Sequence, residues 1–342
     1  MKKRLLIAGG IALFLVALAG AIGAYRILFV TNTSFTDNSK LFYVRTGTSF
    51  ESLVQKLQRE GIIANANTFQ WAASMKRFES VKAGKYKFSK GDNNQSIINR
   101  LRSGNQEPVL VRLDGTATLA ELCGKLAKQL EADSATFAAT FLNPDTIAAR
   151  GFAPETFASL FLGDTYDFYW NNSATHIIER MKKEYTAYWT TDKDNLATQL
   201  QLTREQVATL ASIVKGETAM KAEAPKIAGL YLNRLKRGIP LQADPTVKFA
   251  LGNPSIQRIL YQDLSVDSPY NTYKYAGLPP GPISLPEPVY MDAVLQHENH
   301  DYIYMCAQPG NTGYHNFAVS GEQHMQNAAA YQRWLNERNI LR

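Results

Sequence analysis

Residues Leu5–Tyr25 form a run of 21 positions without a charged side chain. As an α-helix rising about 1.5 Å per residue, the run covers about 30 Å, the thickness of a bilayer's hydrocarbon core. No second run of that length occurs, so the sequence allows one membrane crossing and a large remainder outside the lipid. Lys2, Lys3 and Arg4 precede the run. The positive-inside rule then makes residues 1–4 a cytoplasmic tail, 5–25 a single-pass transmembrane helix in the plasma (inner) membrane, and everything after Arg26 periplasmic or outward-facing. The competing reading is a cleaved signal peptide, since Ala19-Gly20-Ala21 fits an A-x-A site, but signal h-regions are shorter, at about 7–15 residues.

The formal charge of +7 reflects 37 Lys+Arg against 30 Asp+Glu. Lys2, Lys3, Arg4 and Arg26 flank the apolar run, and without them the balance is 33 against 30. That near-neutrality excludes a strongly basic nucleic-acid binder, which needs many phosphate-neutralising side chains. A hydrophobic content of 45% is enough for one or two cores and too high for a disordered chain. Cys123 and Cys306 would meet an oxidising compartment, and both a disulfide and two separately buried thiols fit their spacing.

After a Thr/Asn/Ser-rich linker at 26–40, Leu41-Phe42-Tyr43-Val44 reads as a strand. Thr48 and Glu51 make a capping-box pattern for a helix with Phe50, Leu53, Val54 and Leu57 on one face, ended by Gly61. A second helix around Thr68–Met75 leads to an alternating strand, Gly84–Phe88. Ile97, Ile98 and Leu101 suggest a third helix closed by Gly104, and Pro108 marks a boundary. The βααβ order at 41–107 is similar to the plan of a LysM module, a small binder of N-acetylated glycans. A spacer that lifts the next domain off the membrane fits the same order.

Residues 108–342 read as mixed α and β. Thr203 and Gln206 form a capping box, with Val207, Leu210, Ala211 and Val214 on one helical face. Glu217 continues that stripe. An inward-facing acid either pairs with a base such as Lys221 or ends the stripe at a solvent edge. Alternatively it is held protonated by desolvation, the state a proton donor to a glycosidic oxygen requires. A second helix, about Ala224–Arg237, carries Ile227, Leu230, Tyr231 and Leu235 on its apolar face. Next, Leu241–Val247 places Gln242 and Asp244 on one face if extended, although Asp244 before Pro245 also suits a turn. Gly277–Pro288 holds five of the chain's 14 prolines, giving either a stiff groove wall or a structural connector.

Taken together, Ala211–Thr218, Leu241–Val247, Tyr270–Tyr273 and Gly277–Ile283 resemble the YceG-like family, whose characterised members are MltG-type endolytic murein transglycosylases. The likeness extends to Asp164-Thr165-Tyr166 and to Gly313-Tyr314-His315-Asn316-Phe317. It implies an α+β protein with an N-terminal transmembrane helix, a small LysM-like βααβ subdomain and a larger mixed α/β catalytic domain. By the same resemblance Glu217 is the catalytic acid, and Asp164, Gln242, Asp244, Asn271 and Tyr273 are sugar-contact candidates. Lys215 stands where the family's ExE motif has its first acid, and Leu285-Pro286 replaces the usual Asn-Pro.

The implied reaction cuts MurNAc–GlcNAc bonds within peptidoglycan strands to leave 1,6-anhydro-MurNAc ends, ending the growth of nascent strands. It needs no metal and no cofactor. Peptidoglycan synthases are the implied protein partners. Other chemistry finds little support: His297-Glu298-Asn299-His300 lacks metalloprotease spacing, and neither a G-x-S-x-G elbow nor a phosphate loop occurs. Aminodeoxychorismate lyase, a label sometimes given to this family, would require pyridoxal phosphate. The non-enzymatic alternative is a membrane-tethered wall-binding scaffold that stacks sugars on Tyr166, Phe168, Tyr169 and Trp170.

Overall fold

The computed structural model describes residues 2–253, 256, 259–310 and 312–338. Met1 of the expected tail and residues 339–342 of the expected C-terminal domain lie outside the described residues. The chain divides into two compact units. One holds the residues up to Leu110 together with 129–131 and 167–172, and the other holds 111–128, 132–166 and the chain from Ser173 onward.

The first unit begins with helix α1, Lys2–Phe29, of which Leu6–Phe29 is apolar and long enough to cross a bilayer. Strand β1 (Ser39–Val44), helices α2 (Phe50–Arg59) and α3 (Ala66–Met75), strand β2 (Gly84–Ser89) and helix α4 (Asn94–Ser103) follow. β1 and β2 pair antiparallel, with Ser39 opposite Ser89 and Val44 opposite Gly84. Phe42, Leu53, Leu57, Phe69, Phe88 and Ile98 fill the core between this ribbon and the helices. The helix expected from Thr48 starts one residue later: Ser49 is the cap, accepting from Ser52 N at 3.2 Å, while the Thr48 hydroxyl donates to Arg45 O.

Residues 26–40, expected as a linker, are bonded into this unit. Asn94 Nδ2 donates to Ile27 O at 2.8 Å, satisfying a carbonyl in the last turn of α1 that the helix itself leaves open. Asn32 is buried and donates to Asn94 Oδ1 at 2.6 Å, while its own Oδ1 accepts from Asn65 N.

Strand β3 (Val109–Arg112) precedes the second unit's helices α5 (Leu119–Ala127), α6 (Ser134–Phe141) and α7 (Pro144–Ala148), then strand β4 (Thr165–Phe168). Helices α8 (Ala174–Tyr188), α9 (Thr191–Gln199), α10 (Arg204–Glu217), α11 (Ala224–Lys236), α12 (Asp244–Ala250) and α13 (Pro288–Leu295) come next. The antiparallel pair β5 (Tyr304–Ala307) and β6 (His315–Ala318) and helix α14 (Gly321–Glu337) complete it. α10 is central: every side chain from Val207 to Val214 is buried, and the helix packs against α11, α12 and α13. The fold is mixed α and β, with one N-terminal apolar helix. Cys123 and Cys306 are both free thiols.

Two further sequence expectations change. Leu241–Val247 is not extended: Gln242 takes a left-handed backbone, φ +53°, and α12 starts at Asp244, with Pro245 in its first turn. Proline fits there because its missing N–H is one the first turn leaves unpaired anyway. Tyr166 and Phe168 are buried, which removes them from any exposed sugar-stacking surface.

Candidate active site

Glu217 is the last residue of α10, and the sequence fixes its position at both ends of the helix. At the start, Thr203 and Gln206 close a reciprocal capping box, with Thr203 N donating to Gln206 Oε1 at 2.9 Å and Gln206 N to Thr203 Oγ1 at 3.2 Å. At the end, Gly216 permits close approach of α12, since a Cβ there would lie 2.6 Å from Pro245 Cβ. Any larger residue would push the Asp244–Pro245 turn away from the carboxyl group.

The Glu217 side chain is half-buried, ringed by protein yet open to a cavity of about 390 Å³ that Tyr231, Arg234, Gln242, Asp244, Tyr273 and His315 also line. Its one hydrogen-bond partner among the described residues is Tyr231, whose hydroxyl donates to Oε1 at 2.6 Å. Lys221 does not neutralise it, and Lys215 is engaged elsewhere, 2.6 Å from Glu287. Desolvation therefore dominates and pushes the Glu217 carboxyl up to about 7, with the charge of Asp244 adding to the rise and the Tyr231 bond opposing it. Its place in the final turn also sets it at the negative end of the helix dipole, which disfavours a carboxylate.

Around this acid the remaining polar groups hold one another. Arg234 is buried and donates from Nη1 to Leu241 O at 2.9 Å and from Nη2 to Gln242 Oε1 at 2.7 Å. These bonds brace the strained left-handed residue Gln242. Tyr273 donates to Asp244 Oδ1 at 2.6 Å, and burial together with this bond raises the Tyr273 hydroxyl above its usual range. Glu217 and Asp244 also line a larger cavity of about 1430 Å³, walled by Pro245, Phe249 and Ile283 among others. One wall belongs to the proline-rich loop, which Ser212 of α10 ties down by accepting from Ile283 N at 2.9 Å. Gly281 of that loop abuts Glu155 so closely that a Cβ would lie 1.9 Å from its carbonyl oxygen.

Of the sugar-contact candidates, Gln242, Asp244 and Tyr273 thus share a cavity with Glu217. Asp164 and Asn271 are not among the residues lining either cavity. Asp164 is exposed and accepts from Thr165 N at 2.7 Å. Asn271 is fully buried, with Nδ2 donating to Leu264 O and Val266 O and Oδ1 accepting from Tyr273 N, so it shapes the loop that carries Tyr273. Three features of the site have no signature in the sequence, and His315, which by its motif reads as packing near the groove and not as a proton carrier, belongs to one of them. Tyr231 looked like one more apolar position on α11. Arg234 carried no pattern at all. Glu223 and His315 pair at 2.8 Å from distant parts of the chain, which no spacing rule connects.

The YceG-like family model matches residues 42–330. The chain belongs to the YceG-like family. Among similar proteins, one from Bacillus subtilis (strain 168) named endolytic murein transglycosylase is 31% identical to this YceG-like chain, covering 78% of each. A Streptococcus pneumoniae protein of the same name is 26% identical, over 92% of this chain and 62% of that relative, so the chain spans less than two thirds of its length. A crystal structure of a yceG-like protein from Listeria monocytogenes superposes with a TM-score of 0.59 at 27% identity, covering 85% of this chain and 99% of the other.

Proposed function

We propose that the protein is an endolytic murein transglycosylase, with Glu217 as its acid. The observation that carries this reading is a carboxyl group without a basic partner among the described residues, held near neutrality in its affinity for a proton and lining two cavities. A cut inside a strand needs room for sugar on both sides of the reacting bond, and Glu217 and Asp244 line both cavities. The names of the B. subtilis and S. pneumoniae relatives support the same activity.

In this reading protonated Glu217 gives its proton to the glycosidic oxygen as the C1–O bond of MurNAc breaks. The C6 hydroxyl of the same sugar attacks C1 and gives its proton to a base, a part the Glu217 carboxylate left by the first transfer can play, and the 1,6-anhydro end forms without consuming water. The nucleophile belongs to the substrate, so no second carboxylate has to hold a water, unlike in the usual two-carboxylate hydrolase. The Tyr231 hydroxyl fixes the carboxyl rotamer and stabilises the carboxylate left after transfer. Gln242, Asp244 and Tyr273 present polar groups to the sugar.

The surrounding organisation belongs to the same proposal. Residues 5–25 anchor the chain once, with residues 1–4 in the cytoplasm and the rest outside, as the charge asymmetry supports. The antiparallel ribbon and helices within 41–107 serve as a LysM-like glycan-binding subdomain, the catalytic domain runs over 108–342, and peptidoglycan synthases are its partners. The test is to incubate the full chain in detergent with purified murein and identify the new ends by mass spectrometry. Anhydro-muramic ends are expected from the wild type, and Glu217→Gln should lose about 10³-fold or more, the scale of removing a general acid together with its charge stabilisation. Reducing ends in place of anhydro ends would make the protein a hydrolase, and undiminished cleavage by Glu217→Gln would remove Glu217 from the mechanism.

A further inference from the structure

The cavity that holds Glu217 contains a second group equipped to move a proton. His315, the first residue of β6, lines it. Its ring is held by Glu223, the residue just before α11, which is buried to 6% exposure. One oxygen of Glu223 accepts from the His315 backbone N at 2.7 Å, and the other lies 2.8 Å from Nδ1. A carboxylate only accepts, so Nδ1 carries a proton, and in the neutral ring this leaves the lone pair on Nε2. The arrangement is that of a general base with an orienting acid behind it, in which the carboxylate also stabilises the imidazolium that forms. The backbone bond anchors the start of β6, and the second oxygen fixes the ring and its proton in addition.

Among the other polar groups of the cavity, none pairs a ring nitrogen with a buried carboxylate: His324, the second histidine of the lining, has a buried Nδ1 without a partner among the described residues and so nothing that orients its ring proton. Asp244 accepts from Tyr273, Arg234 braces Leu241 and Gln242, and His324 stacks on Tyr304 with ring centroids 5.2 Å apart. Glu217 starts the reaction protonated and cannot accept the C6 hydroxyl proton until it has given up its own.

We propose that His315, oriented by Glu223, is the base that removes the C6 hydroxyl proton of the reacting MurNAc while Glu217 protonates the leaving oxygen. This inference rests on the transglycosylase reading. In the step, O6 bonds to C1, the C1–O4 bond breaks, O4 takes the Glu217 proton and Nε2 takes the O6 proton. The cycle closes when imidazolium returns that proton, through solvent, to the Glu217 carboxylate. Two residues then divide acid and base work between them, and a concerted closure of the anhydro ring no longer requires one carboxyl group to do both in turn.

The experiment compares wild type, His315→Asn, Glu223→Gln and Asp244→Asn on purified murein, with kcat, KM and the ratio of anhydro to reducing ends measured for each. Asparagine can still donate to Glu223 through its amide, so His315→Asn removes the lone pair while keeping the internal bond, and melting curves check the fold. The expected result for His315→Asn is a loss of about 10²-fold in kcat, the usual contribution of a general base. KM should change by about twofold at most, and reducing ends should rise as water replaces O6. Glu223→Gln should show the same product shift with a smaller loss, and this variant keeps the test alive if His315→Asn misfolds. An unchanged kcat and end ratio in both variants would overturn the inference, as would a product shift in Asp244→Asn with none in His315→Asn. A wild type that makes no anhydro ends would overturn the transglycosylase reading itself, and the inference with it.

Discussion

The two units treat their buried polar groups in opposite ways. In the first, the buried polar groups are two neutral amides, Asn32 and Asn94, which bond to each other and to backbone groups, and the hydroxyl of Tyr86, which donates to Lys82 O; no carboxylate or guanidinium is buried there among the described residues. In the second, ionisable groups are drawn in as well: Glu223 and Arg234 are buried, Tyr231 is almost fully so, and Glu217 is half-buried beside them. Neutral amides that satisfy one another stabilise a connection and respond little to pH. Ionisable groups held in apolar surroundings cost stability and acquire altered proton affinities, the pattern of a reactive site. The first unit therefore holds the apolar N-terminal helix, and the second holds the cluster of ionisable groups in which the proposed site lies.

The largest stability effect that tests this contrast belongs to Glu217. In the fold its carboxyl titrates at about 7, against 4.5 as the ordinary value. Below pH 4.5 both folded and unfolded chains hold the proton and the shift costs nothing. As pH rises through 7 the unfolded chain has ionised while the fold resists, and stability falls by about 3 kcal/mol at most, less the relief from cavity water. Glu217→Gln should thus melt near wild type at pH 4 and distinctly higher at pH 8, as measured by thermal unfolding across pH. A constant difference across that range would break the contrast.

In the first unit the expected signs differ. Asn94→Ala strips the partners from Asn32 and from Ile27 O, costing about 1–3 kcal/mol by denaturant unfolding at any pH. It should leave kcat on short soluble glycan fragments unchanged, and a fall in kcat would show that the units are not chemically separate. Ser49→Ala removes the cap of α2, for about 1 kcal/mol.

The finest effects lie in the alkaline limb of the rate profile. Removing the charge in Asp244→Asn should move that limb to lower pH, because its field raises the Glu217 carboxyl. Tyr231→Phe should move it higher, because the phenol favours the ionised form. Shifts of the same sign in both would contradict the site's electrostatics.

Sequence patterns reveal what periodicity and capping encode. The Thr203–Gln206 box, the buried stripe of α10 and the proline at the start of α11 put Glu217 at a helix end facing inward, and the structure places it there. The order of strands and helices between residues 39 and 103 follows from alternation and apolar spacing in the same way. What periodicity does not encode is pairing between distant residues. Tyr231 has the apolar spacing of a core residue, and only the packing of α11 on α10 turns its hydroxyl onto Glu217. Gln242 looked extended because alternation says nothing about a positive φ, which here depends on Arg234 and the 271–273 turn. His315 and Glu223 meet only through the fold of the second unit.

The most direct check on this account is the proton affinity of the Glu217 carboxyl itself. Infrared difference spectra of wild type against Glu217→Gln, recorded from pH 4 to 9, isolate its protonated C=O band. The band should persist at pH 6 and vanish with a midpoint near 7, whereas a midpoint near 4.5 would show an ordinary ionised carboxylate and leave the protein without its proton donor at neutral pH.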